Sequence, residues 1–154
     1  MFRVTRAEEQ AVRLVMRMAH VGGQVTLGDL AEAENLPEPT VAKLLGMLRR
    51  GGVVDALRGR YGGYVLAGTA ETISAAQIIY SVSGDPVAGF PCGESADSPD
   101  CPRNNNCGLR PVWQHLEGRL TEVLRQTTVA DLLKKEDVAT RDLHRLWPLT
   151  GEQG

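Results

Sequence analysis

Three glycine pairs, Gly22-Gly23, Gly51-Gly52 and Gly62-Gly63, cut the first part of this chain into short segments that must fold as separate elements. Glycine is costly inside a helix and permissive beyond its end, so each pair marks a stop or a turn. Before the first pair, Ala11, Val12, Leu14, Val15, Met18 and Ala19 recur at helical spacing, with Arg13 and Arg17 four apart on the other face. This predicts a helix from Arg6 to His20. Thr26 can cap a short second helix, Leu27 to Glu34, that buries Leu27, Leu30 and Ala31, and Asn35 can end it. Proline is tolerated in a first helical turn, so a third helix starts near Pro37 or Pro39 and runs through Val41, Leu44, Leu45 and Leu48 to Arg50.

After the second pair, Val53-Val54 and Tyr64-Val65-Leu66 flank the polar tip Arg58-Gly-Arg-Tyr-Gly-Gly63, the pattern of two short strands and a turn. Three helices, the last two closely linked, then a basic hairpin predict a winged helix-turn-helix: mainly α, with one small β-hairpin. The third helix would be presented to the major groove and the hairpin would be the wing. Charge agrees with this placement. The net charge is −2, but residues 1–68 carry nine Lys or Arg against seven acids, and residues 69–154 eight against twelve. Between 39 and 66, Lys43, Arg49, Arg50, Arg58 and Arg60 face only Asp55, the local excess that a phosphate-binding surface needs.

A further short helix, Ser74 to Ser81, leads into a stretch from Gly84 to Cys107 that is rich in Pro, Gly, Ser, Asp and Asn and lacks apolar periodicity. A loop of that length is usually functional or needs something to tie it down. It holds all three cysteines, as Cys92-x8-Cys101-x5-Cys107. Pro111 then opens a helix whose Trp113, Leu116, Leu120, Val123 and Leu124 form one apolar stripe, read as a dimer helix. A last short helix, Thr128 to Lys135, starts with the Thr128/Asp131 pair of a capping box, and no clear pattern follows. The expected organisation is a winged helix-turn-helix over 1–83, a cysteine-bearing loop over 84–110, a dimerisation helix with a short helix over 111–136, and a partly disordered tail over 137–154.

An odd number of thiols excludes a fully paired disulfide framework, and metal or redox chemistry is the better reading of the loop. Thiolates favour soft metals, and a Gly/Pro/Asn loop can wrap several sulfurs around an iron-sulfur cluster. No CxxC pair is present, and a zinc site of three thiolates plus one other ligand would need much the same residues. Spacing therefore leaves metal binding and unliganded or redox thiols both open. Enzyme signatures are missing: the chain has no GxSxG, no GxxxxGK and no HExxH, so it is read as no enzyme, with no small-molecule substrate. No apolar run approaches the roughly 20 residues that span a bilayer, and the N-terminus does not look like a secretory signal, which together predict a cytoplasmic protein with no membrane partner.

In this order, Arg3-Val-Thr5, the helix-turn-helix, the wing RGRYGGYVLA at 58–67, Ile78-Ile79, the three-cysteine loop and Trp113 resemble the IscR/NsrR family over roughly residues 3–135. The resemblance implies a homodimeric transcription regulator, a repressor of a double-stranded operator. Its DNA affinity would be set by a 2Fe-2S or 4Fe-4S cluster on Cys92, Cys101 and Cys107, sensing redox state, nitric oxide or iron-sulfur status. A fourth ligand is implied too. The family's biogenesis regulator has a histidine three residues after the third cysteine, where this chain has Arg110, which cannot ligate iron. In the nitric-oxide-sensing branch an N-terminal carboxylate of the partner subunit serves, and the matching residue here is Glu9, with Glu8 in reserve.

On the DNA side, Pro39, Thr40 and Lys43 open the recognition helix, Arg49 and Arg50 close it, and Arg58, Arg60 and Tyr61 form the wing tip, so these are the candidate contacts. Trp113, Leu116, Leu120, Val123 and Leu124 are the candidate dimer interface. Two alternatives stand beside this reading. One is a regulator that uses the thiols as a zinc site or disulfide switch, and the other a cluster-carrying protein that does not bind DNA.

Overall fold

The computed structural model describes residues 4–84 and 107–148. Helix α1 (Arg6–Val21) begins at a capping box: the Glu8 N–H donates to the Thr5 hydroxyl, and the Thr5 N–H donates to the Glu8 carboxylate. It ends at Gly22, in the left-handed region at φ +72°, where a side chain would be strained. Helix α2 (Leu27–Glu34) repeats the device with Thr26 and Asp29 and stops on Asn35, also left-handed at φ +52°. Helix α3 (Glu38–Arg50) enters through Pro37, with Pro39 in its first turn.

Strands β1 (Val54–Leu57) and β2 (Gly63–Leu66) pair antiparallel, with Val54 opposite Leu66 and Leu57 opposite Gly63. Val25 and Tyr64 exchange backbone hydrogen bonds of 3.0 and 2.8 Å, so the turn between α1 and α2 adds one rung to the hairpin. Helix α4 (Ala75–Ser83) is capped by Ser74, and α5 (Leu109–Gln126), α6 (Val129–Leu132) and α7 (Glu136–Leu146) follow. The core gathers Leu14, Val15 and Met18 of α1, Leu45 and Leu48 of α3, Val53, Val54 and Ile78. Burying one such side chain contributes about 1.5–3 kcal/mol, which is why α1, α3 and α4 hold together around it.

The C-terminal part returns to this core. The Ala75 N–H donates to the Thr127 carbonyl at 2.8 Å and the Val129 N–H to the Ile73 carbonyl at 2.9 Å, which places Val129 fully inside. The end of α5 is thus stitched to the start of α4.

Mainly helical, with a two-stranded antiparallel hairpin, the molecule has the expected winged helix-turn-helix class. Details differ from expectation. Strand β1 reaches Leu57, α5 starts two residues before Pro111, and α6 spans four residues rather than Thr128 to Lys135. Of the segment 137–154, expected as a patternless tail, residues 137–146 belong to helix α7 (Glu136–Leu146), and 149–154 lie outside the described residues. Its apolar residues are few among Asp137, Arg141, Asp142, His144 and Arg145, but Val138, Leu143 and Leu146 recur at helical spacing, so a pattern is present and only the low overall hydrophobicity hides it. The Asp137–Arg141 pair at 3.4 Å and the Lys134–Asp142 pair at 2.8 Å supply support that a hydrophobic pattern does not register. Among the described residues no helix is long and apolar enough to cross a membrane.

Candidate nucleic-acid interface and metal site

Helix α3 buries Val41, Leu44, Leu45 and Leu48. At about 100° per residue, the stripe opposite them is Pro39, Lys43, Gly46 and Arg50, so Lys43 and Arg50 project straight away from the core. Pro39 and Lys43 are exposed, Thr40 is half-buried on one flank, and Arg49 is exposed on the other. A Cβ added at Gly46 would lie 3.8 Å from Arg50 Nη1, so the Arg50 guanidinium folds back along the stripe over the glycine. Two cations therefore occupy the middle of the outward face of this helix.

The wing carries the rest of the positive charge. Its tip, Arg58 to Gly62, turns on a Gly62 N–H to Gly59 carbonyl bond of 3.0 Å, with Gly59 at φ +120°. A Cβ at Gly62 would come within 2.6 Å of the Leu57 carbonyl oxygen, so only glycine fits. Arg58, Arg60 and Tyr61 all point to solvent, Tyr61 with 83% of its surface open. A shallow groove runs between this hairpin and the start of α2, lined by Thr26, Leu27, Arg58, Arg60 and Tyr64. The protein thus offers a convex cationic helix face and a cationic loop, the combination that neutralises phosphates while placing side chains at base edges.

The two glutamates proposed from sequence are placed differently. Glu8 is 1% exposed, with its carboxylate occupied by the Thr5 N–H, so the reserve ligand is a capping residue. Glu9, one residue and about 100° further round α1, is exposed and pairs with Arg13 at 3.5 Å. Arg13 reaches on: its Nε meets Glu34 Oε2 at 3.0 Å, and its Nη2 donates to the Glu34 carbonyl at 2.8 Å. Arg17 Nε meets the other Glu34 oxygen at 2.9 Å. Glu34 is buried and held by two guanidiniums, and this bracket joins α1 to the end of α2. Sequence reasoning missed it, although Arg13 and Arg17 at one-turn spacing with an acid closing α2 carried the signal.

Cys107 is half-buried two residues before α5 begins; Cys92 and Cys101 lie outside the described residues. Among the described residues no three metal-ligating side chains converge. Of the candidate ligands among the described residues, Cys107 offers a soft thiol donor at a helix start and Glu9 a harder carboxylate donor on an exposed face. His20, His115 and His144 are exposed. Among the described residues the α5 stripe is not closed: Leu116 is exposed, Trp113, Leu120, Val123 and Leu124 are half-buried, and the exposed Leu109 and Val112 extend the apolar face toward Cys107.

Comparison with known proteins was consistent in fold and class. The family model Rrf2, described as an iron-dependent transcriptional regulator, matches residues 4–135. The HTH-type transcriptional regulator IscR of Escherichia coli is 28% identical over 138 residues, which cover 88% of this chain and 83% of that protein. The structure of CymR, the global cysteine regulator of B. subtilis, aligns with TM-score 0.70 at 28% identity over 86% of this chain and 97% of its own. The structure of T. potens IscR aligns with TM-score 0.62 at 25% identity over 97% and 93%.

Proposed function

This chain belongs to the Rrf2 family of transcriptional regulators, and from that premise we propose that it is a homodimeric repressor whose affinity for a DNA operator is set by an iron-sulfur cluster. Cys92, Cys101 and Cys107 would hold the cluster, with Glu9 of the partner subunit as fourth ligand. The observation that carries the ligand assignment is the contrast within α1: Glu8 is sealed in a cap, whereas Glu9 is exposed, its carboxylate in a surface pair with Arg13. When bound, such a cluster supplies a redox-active centre that oxidants or nitric oxide can alter. Carboxylate oxygen is a harder and weaker partner for iron than thiolate, so the Glu9 bond would be the one that exchanges.

What the chain's own residues do follows from their places. Lys43 and Arg50 on α3, with Arg49 and the wing residues Arg58, Arg60 and Tyr61, meet the duplex; Pro39 and Thr40 start the recognition helix beside it. Trp113, Leu116, Leu120, Val123 and Leu124 of α5 pack against the same stripe of a second copy, with Leu109 and Val112 extending the contact. A dimer sets its two recognition helices about 34–36 Å apart, one duplex turn, and ligation that moves α1 against the partner's α5 alters that spacing. A thiol or zinc switch is the second reading, favoured by the likeness to CymR, named as a cysteine regulator.

The test is anaerobic purification with visible absorption, iron and sulfide analysis. We expect a sulfide-containing chromophore that disappears in Cys107→Ser and is perturbed in Glu9→Ala. Glu8→Ala should leave the spectrum alone and cost about 1 kcal/mol of stability through removal of the cap. A colourless protein containing zinc, or no metal, decides for the second reading. Equal operator affinity of loaded and cluster-free protein at one salt concentration would refute cluster control.

A further inference from the structure

One side chain ties the tip of the wing back to the helical body. Gln24, in the turn after α1, donates through Nε2 to the Tyr61 carbonyl, 37 residues away in sequence. The same turn grips the tip-side end of β2 through the Val25–Tyr64 rung. The fit is close: a Cβ at Gly63 would lie 2.6 Å from the Val25 carbonyl oxygen and 3.0 Å from both Cγ and Nε2 of Gln24.

Beyond the last strand pair, Leu57 with Gly63, the tip is five residues with two glycines. Its own Gly62-to-Gly59 turn fixes the loop internally but not where the loop sits relative to α3. A tip free to swing must be ordered when it meets a ligand, and that ordering is subtracted from affinity. The tether to Tyr61 lies next to Arg60 and three residues from Arg58, so it restrains the stretch that carries the wing's charge.

We infer that Gln24 is a positioning residue for DNA binding: by anchoring the Tyr61 carbonyl it holds Arg58 and Arg60 in the arrangement that meets the duplex together with α3. The inference rests on the DNA-binding reading above. Gln24 acts through the arginines and makes no DNA contact of its own.

Gln24→Met keeps the side-chain length and removes the donor. The probe is a duplex enriched by the wild-type protein from a random-sequence library, titrated across a salt series. We expect about fivefold weaker binding per wing, the size of one hydrogen bond to a loop. The slope of log K against log salt should become shallower, by up to about 0.9 for each phosphate that is no longer neutralised. Amide exchange should quicken at Arg60 to Gly62, with the melting temperature unchanged. The decisive control is the Arg58→Ala/Arg60→Ala background, where Gln24→Met should have no further effect. Unchanged affinity and slope in Gln24→Met, or an effect that persists in the arginine-free background, overturns the inference while leaving DNA binding intact. A wild-type protein that enriches no duplex overturns the DNA-binding reading itself and removes the role with it.

Discussion

Gly51→Ala should destabilise the protein although the backbone there suits alanine. Gly51 has φ −78° and ψ 0°, which any residue adopts, so restricting the unfolded chain alone would stabilise by about 0.4–1 kcal/mol. Packing reverses the sign. The new Cβ would stand 1.8 Å from Ser81 Oγ, 2.5 Å from Ser81 Cβ and 3.2 Å from Ser81 Cα. Rotating the hydroxyl away relieves the first contact, at the expense of the Ser81 bond to the Gln77 carbonyl at 2.7 Å, but leaves the second. Ordinary contact then requires α4 to retreat from the end of α3 by roughly 1 Å, and overpacking of that kind costs about 1–3 kcal/mol. The balance is a destabilisation of about 1–2 kcal/mol, or a melting point lower by about 3–6 °C for a chain of this size, read by circular dichroism. Ser81→Gly removes both clashing atoms, so Gly51→Ala should cost markedly less in that background than in the wild type. A melting point that is unchanged or raised, or strict additivity of the two substitutions, would refute the argument.

Lys43→Ala and Arg50→Ala should each flatten the salt dependence of DNA binding, by about 0.9 in slope for every phosphate the side chain neutralises, measured by fluorescence anisotropy. Stability should change little, because both residues are exposed. Val129→Ala empties a fully buried site where α6 meets the core and should cost about 2 kcal/mol in denaturant unfolding. Asp131 is held at about 2 by Lys134 and by the Thr128 N–H, below its ordinary 3.8. Its contribution is therefore complete above roughly pH 4 and disappears as the pH falls toward 2; solvent screening limits it to about 1 kcal/mol. Melting points across that range should show the decline in the wild type and not in Asp131→Asn.

The winged unit was legible because each of its boundaries is chemical and local. Thr5, Thr26 and Ser74 cap helices within three residues of themselves, Gly22 and Asn35 stop them with left-handed backbones, and the tip glycines permit one turn. The outward stripe of α3 followed from the same periodicity that gave its buried one. Contacts between distant segments were not legible. Nothing local announces that Gln24 reaches Tyr61 or that Val129 returns to the core, since each depends on how elements pack. Glu8 and Glu9 show the limit most clearly. They are adjacent and chemically identical, yet the turn of α1 buries one and exposes the other.

That difference bears on how a signal would reach the recognition helix. The candidate ligands Glu9 and Cys107 sit at the starts of α1 and α5, and neither residue belongs to α3. Helix α4 packs against α1, α3 and α5 alike, so it links the α5 end that carries Cys107 to the DNA-facing helix, while α1, which carries Glu9, also touches α3 directly. The contact of α4 with α3 has no slack at Gly51 and Ser81, and the N-terminal end of α4 is pinned to the end of α5 by the Thr127–Ala75 and Ile73–Val129 hydrogen bonds. A close-packed joint passes on small displacements because it cannot absorb them. The Arg13–Glu34–Arg17 bracket gives α1 a second hold, on α2, so a pull on the proposed ligand Glu9 would act on both helices of this pair. On the proposed reading, control of DNA affinity thus needs no rearrangement inside the winged unit. It needs only that ligation fix how the two units of a dimer are turned toward one another.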